Sequence, residues 1–283
     1  MKTRFFIPLC VSICLLLTYI LPSCNAREIP QTPEARVNSP NEAANTNSQI
    51  LTYEQLIEIN NGQLLLINNG HKVPQSTSGE LVTVLDYVST LNIELLMNKD
   101  ALVMLKEMLD AASSTGYSEF RVTEGYRTQV YQQSLYDSAA DKSFVALPGH
   151  SEHQTGLAAD ISYDGVNIAN SAQGKWLVAN AYRYGFILRY PQNKEHITET
   201  AYEPWHYRYI GQPHAYYCYD NDLCLEEYID YLKKHSETAI NFNDIQYMVF
   251  YLSSGGESIE IPENHSYSAS LDNTGGIIIT AWY

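Results

Sequence analysis

Residue types that bind metals crowd one short stretch of this chain. Leu147-Pro-Gly-His-Ser-Glu-His-Gln-Thr-Gly-Leu-Ala-Ala-Asp160 carries His150, His153 and Asp160, with Gly149 and Gly156 loosening the backbone and Ala158 and Ala159 keeping neighbouring side chains short. An imidazole and a carboxylate seven positions apart can share one metal if the chain turns between them and a third ligand arrives from elsewhere. Glu203-Pro-Trp-His206 supplies that further imidazole, together with a carboxylate able to act as a base. Taken alone, the first stretch reads equally well as a Gly-rich loop with a capping His and Asp.

Ser151-x-His153-x-x-Gly156-x-Ala158-x-Asp160, then Glu203-Pro-Trp-His206, preceded by Gly125-Tyr-Arg127-Thr, resembles the VanY-type D-alanyl-D-alanine carboxypeptidases, zinc peptidases of bacterial cell walls. The resemblance covers residues 64–215, in the family's motif order. It implies zinc held by His153, Asp160 and His206. Two neutral imidazoles and one carboxylate leave a fourth position open, the pattern of a catalytic site. Zinc lowers the pKa of water, and a nearby carboxylate can take its proton as the water attacks a peptide carbonyl. Glu203 is assigned as that base. On a straight strand Glu203 and His206 would face opposite sides, so a bend at Pro204 is required.

Arg127 leaves a strand-turn-helix junction, where a guanidinium can grip a carboxylate or a developing oxyanion through two parallel hydrogen bonds. The resemblance implies that it contacts substrate, and that Gln132 or Gln133 joins it; Gln133 is the choice. Ser151 either binds substrate or holds the His loop. His150 is left outside the ligand set, and Trp205 is expected to pack beside the ligand strand. The implied reaction removes the terminal D-Ala from peptidoglycan stem peptides. An L,D-carboxypeptidase, a wall endopeptidase or a catalytically silent wall-binding protein would use similar residues.

These side chains need elements to position them, and the pattern predicts an α+β fold: a small antiparallel or mixed sheet with flanking helices around a zinc cleft. Helices are expected over 51–59, 100–113, 128–139, 172–184 and 223–235, and strands over 64–67, 120–123, 156–162, 186–190 and 203–210. From Asp244 the pattern changes to alternating strands at 247–252, 258–261, 267–271 and 276–282, a short all-β appendix with no catalytic residues of its own. The expected division is 1–24 signal segment, 25–49 tether, 50–236 zinc carboxypeptidase domain and 237–283 β extension.

Composition and the N-terminus set the compartment. A net charge of -15 argues against a nucleic-acid partner, which needs clustered Lys and Arg. Met1-Lys-Thr-Arg4 and the apolar run to Leu21 suit a secretory signal, and Leu21-Pro-Ser-Cys24 resembles a bacterial lipobox. The expected site of action is therefore extracytoplasmic, with membrane attachment through an N-terminal lipid or signal anchor. The Pro-, Asn- and Thr-rich segment that follows cannot bury a core. In an exported chain, Cys218 and Cys224 read as a disulfide closing a small loop.

Overall fold

The computed structural model describes residues 48–75, 79–163 and 168–283. The expected signal segment, the lipobox at Cys24 and nearly all of the tether lie outside the described residues. In chain order the elements are β1 (Ser48–Thr52), α1 (Tyr53–Glu58), β2 (Leu81–Thr83), β3 (Leu96–Asn98), α2 (Lys99–Ser114), β4 (Phe120–Glu124), α3 (Gln129–Ser138), β5 (Ala158–Tyr163), α4 (Ala172–Asn180), β6 (Phe186–Leu188), the single turn α5 (Glu195–Thr198) and β7 (His206–Tyr209). They continue with α6 (Gln212–Asp220), α7 (Leu225–His235), β8 (Glu237–Phe242), β9 (Ile245–Ser253), β10 (Ser258–Pro262), β11 (Ser266–Leu271) and β12 (Gly276–Trp282).

The sheet that carries the site is antiparallel, in the order β4-β5-β7-β6. Its central strand β5 is buried on both faces over Ala158–Ile161, which is why small and apolar residues fill it. Helix α2 covers one face. Asn98 starts it by accepting hydrogen bonds from the Asp100 and Ala101 amides at 3.0 and 3.2 Å, a cap stabilising by about 1 kcal/mol. Leu102, Leu105, Met108, Leu109 and Ala112 form the buried stripe that the apolar spacing predicts, packing with Val122, Ile161, Leu177 and Tyr207.

Three expectations change, and one helix appears that the pattern did not announce. Leu64–Ile67 is buried but forms no strand. Its backbone is satisfied by Ser270, Asp272, Asn273 and the Arg208 guanidinium instead of by a ladder, so apolar content alone misread it. The segment 203–210 is a strand only from His206; Glu203 to Trp205 form the turn leading in. Helix α6 was not anticipated, its start being marked only by Gly211 at φ 88° and a Pro in the first turn. Cys218 and Cys224 are unbonded thiols, both buried, Cys218 among the side chains of α6, α7 and the C-terminal strands.

The C-terminal strands form a second antiparallel sheet, β11-β12-β9-β8, while β10 pairs with β1 at the opposite end of the described chain. Ile240, Val249 and Ile278 of this sheet share one core with Leu64, Leu66, Ile210, Leu225, Ile229 and Leu232.

Candidate active site

The loop that turns between His153 and Asp160 is a short 3-10 segment, Glu152–Thr155, closed by Gly156 at φ 76°. A side chain at Gly156 would be strained in that conformation, and its Cβ would lie 2.8 Å from Leu81 Cδ2. The turn brings His153 back over β5. Asp160 pairs with His206 across β5 and β7, so neighbouring strands deliver the other two side chains to the same face. Asp160 Oδ1 lies 3.3 Å from His153 Nε2 and 3.1 Å from His206 Nδ1. The three residues are buried, and their ligand atoms all fall within 4.8 Å of one another.

The opposite nitrogen of each ring is already engaged. His153 Nδ1 bonds the Gly125 carbonyl at 2.7 Å, and His206 Nε2 meets Glu152 Oε2 at 3.3 Å. Donation from those nitrogens leaves the lone pairs of Nε2 on His153 and Nδ1 on His206 aimed at Asp160. Asp160 Oδ1 is buried without a hydrogen-bond partner. With the ring protons on the far nitrogens, the three facing atoms are all acceptors and together attract a positive charge, a proton or a metal ion. Burial alone would lower the pKa of His206, but the Asp160 and Glu152 carboxylates overcome it and push it up to about 9. A metal ion supplies the same positive charge, and this donor set fits one.

Glu152 is the residue that sequence reasoning missed. It is fully buried between Arg189 Nε at 2.7 Å and Arg208 Nη1 at 2.8 Å. Burial favours its protonated form, yet the two guanidiniums hold its carboxyl well below the usual range. Arg208 further binds the Gln63 and Leu65 carbonyls at 3.0 Å, and Arg189 pairs with Glu226. A signal existed: Glu152 lies inside the matched motif, and Arg208 follows His206 by two positions on one strand.

The turn at Pro204 does what the spacing required. The His206 amide donates to the Glu203 carbonyl, and Glu203 Oε2 comes within 3.7 Å of His206 Nδ1. Glu203 is buried, and desolvation together with the Asp160 and Glu152 charges outweighs His206 and Arg127 to raise its pKa to about 7. Arg127 is held by Glu124 Oε2 at 3.2 Å, Gln132 Oε1 at 3.4 Å and Asp160 Oδ2 at 3.5 Å. Ser151 and His150 also line the cleft, His150 at its rim with Nδ1 on the Asn68 carbonyl. Trp205 forms part of the wall, its ring 6.5 Å from that of Phe144.

Gln133 does not join this group. It is exposed on α3 and donates to Asp137, whereas Gln132 is fully buried and braces Arg127 while donating to the Ala146 carbonyl. Adjacent helix positions diverge by about 100°, so only one of the pair can face Arg127.

Comparison with known proteins gives the family of the chain. Residues 94–212 match the family profile described as VanY: D-alanyl-D-alanine carboxypeptidase. A D-alanyl-D-alanine carboxypeptidase from Enterococcus faecium is 34% identical over 261 residues, covering 89% of this chain and 84% of that protein. Among solved structures, the vancomycin-resistance D,D-dipeptidase VanXYg, in complex with a D-Ala-D-Ala phosphinate analogue, superposes with a TM-score of 0.72 at 28% identity. It covers 84% of this chain and 99% of its own. The D,D-pentapeptidase VanY from a VanB-type resistance cassette, a mutant in complex with Zn(II), gives 0.52 at 37% identity, covering 59% and 98%. The LD-carboxypeptidase LdcB gives 0.54 at 42% identity, covering 58% and 84%. With a third of its residues shared along most of a full-length relative, and the α+β architecture of these structures, the chain belongs to the VanY family of D-alanyl-D-alanine carboxypeptidases, which are peptide hydrolases.

Proposed function

We propose that the protein is a zinc-dependent D,D-carboxypeptidase that removes the terminal D-Ala from peptidoglycan stem peptides. The observation that carries this reading is the orphaned Asp160 Oδ1 between two imidazole lone pairs, with the Glu203 carboxyl beside them. His153, Asp160 and His206 would hold the metal; when bound, zinc polarises the scissile carbonyl and acidifies water.

The chain's own residues do the rest. Glu203, its pKa near neutrality, takes the proton of the attacking water and returns it to the leaving amine. Arg127, braced by Glu124 and Gln132 against Asp160, faces the oxyanion that develops at the carbonyl. Ser151 lies on the cleft wall to bind the substrate's terminal group. Trp205, Phe144 and Tyr190 narrow the cleft against bulk water. Action on the wall places the protein outside the cytoplasm. Export through residues 1–24 and anchoring at Cys24 belong to this proposal; among the described residues, no helix is long and apolar enough to cross a membrane.

The test is hydrolysis of defined stem peptides by metal-loaded and chelated protein. D-Ala release from the pentapeptide, abolished by chelation and restored by zinc, is the expected result. Release from the tetrapeptide alone would favour the L,D reading, to which the 42% identity with LdcB lends weight. Full activity after verified metal removal would overturn the metal assignment.

A further inference from the structure

The C-terminal sheet has no part in the chemistry above, yet it completes a second cleft of about 360 Å³, within the size range of small-molecule sites. Sheet register builds its floor. Trp282 pairs with Tyr247 across β12 and β9, and Thr280 pairs with Ser268 across β12 and β11, so Tyr247, Trp282 and Ser268 share one face. The two rings lie 6.2 Å apart and are half-buried. Asn61 and Gln63 also line it, and the Gln63 carbonyl accepts from Arg208.

Two properties define what such a cleft would take. No Asp, Glu, Lys or Arg lines it, in a chain of net charge -15. His214, Thr280 and Gln212 in its lining are hydrogen-bonded within the protein, but other polar groups there are unspent. Among the described residues, no hydrogen bond occupies the Gln63 side-chain amide, the Asn61 amide nitrogen, the Ser268 hydroxyl, the Tyr247 hydroxyl or the Trp282 indole N–H. Aromatic faces beside free amide and hydroxyl groups, without charge, match a neutral ring that has an apolar C–H face and a rim of hydroxyls.

We infer that this cleft is a saccharide subsite that binds an uncharged N-acetylated pyranose unit of the glycan strand, with Trp282 and Tyr247 as the stacking platform and Gln63 and Asn61 as the hydroxyl and acetamido readers. The inference rests on the proposed wall substrate only for the choice of sugar. The two clefts are linked by a short stretch of chain. Asn68, which lines the reaction cleft, is five residues from Gln63, so their Cα atoms are at most about 18 Å apart, close to the extended length of a five-residue stem.

The experiment titrates the metal-loaded full chain with N-acetylglucosamine tetramer by calorimetry, and measures D-Ala release from both soluble pentapeptide and intact sacculi. Trp282→Ala and Gln63→Ala should each weaken tetramer binding at least tenfold. They should raise the sacculus concentration needed for half-maximal rate several-fold and leave soluble-peptide turnover unchanged. Gln63→Ala guards against loss of fold at Trp282, with thermal melting as control. No tetramer binding by the wild type, or equal binding by both folded variants, overturns the subsite. Tetramer binding without any release from soluble peptide would leave the subsite standing and count against the proposed reaction.

Discussion

Glu152 and Glu203 are like carboxyls on either side of one imidazole, 3.3 Å from His206 Nε2 and 3.7 Å from Nδ1, and their surroundings separate them. Two buried guanidiniums keep Glu152 ionised, so it orients His206 and holds its proton on the far nitrogen. Glu203 faces the cleft without such a partner, and burial leaves its carboxyl available for proton transfer. Glu203→Gln should therefore retain metal while kcat falls by roughly 10²–10⁴-fold, measured as metal content and D-Ala release on one preparation. Glu152→Gln should act differently. Metal affinity should drop about 10–100-fold in a chelator competition. Leaving Arg189 and Arg208 facing a neutral amide should also cost about 3–5 kcal/mol in denaturant unfolding. Unchanged stability would show that the two arginines do not depend on Glu152. The proposed metal ligands were legible because their types are rare and their spacing is tight. Glu152 was not, because its role is set by Arg189 and Arg208, which only folding brings to it. Gln133 was misread for a related reason: either glutamine suits the chemistry, and only the helix phase chooses Gln132.

At the scale of elements, His214 shows how the parts are joined. It stands on α6, fully buried, with Nδ1 2.7 Å from the Tyr228 hydroxyl of α7 and Nε2 2.9 Å from Thr280 Oγ1 of β12. Burial pushes its pKa down to about 3, so the native ring stays neutral while the unfolded chain protonates near pH 6.5. The unfolded state thus binds more protons between those values, and stability falls as pH drops from about 6.5 toward 3, by up to about 1.4 kcal/mol per pH unit. Denaturation midpoints from pH 7 to pH 4 check this. The stability difference between wild type and His214→Gln should shrink as pH falls, and a constant difference would remove His214 from the linkage. Elements with a cap and a clean apolar stripe, such as α2, were readable from spacing. Strand β1 and helix α6 were not, since β1 exists by pairing with β10 and α6 by packing Ala215 and Cys218 into a core drawn from both ends of the chain.

For the whole molecule, the decisive feature is that the C-terminal sheet buries its inner face on α7 and on the Leu64–Ile67 segment. Each of Leu225, Ile229 and Leu232 gains about 1.5–3 kcal/mol from burial, so exposing them together consumes much of the typical 5–15 kcal/mol of net stability. A chain truncated after Ser236 should give poorly dispersed amide spectra and no cooperative melt. A folded, active truncated protein would show instead that residues 237–283 are a separable extension. The sequence by itself determined the candidate ligand types, the proposed base and its bend at Pro204, the α+β class and the alternating C-terminal strands, because these depend on residue chemistry and local periodicity. Only the tertiary structure decided which nitrogen each histidine presents, which glutamine braces Arg127, that Glu152 stands behind His206, and that the last strands share a core with the helices around the site. Apart from the choice of glutamine, which helix phase makes within one turn, those outcomes depend on contacts between residues tens to hundreds of positions apart.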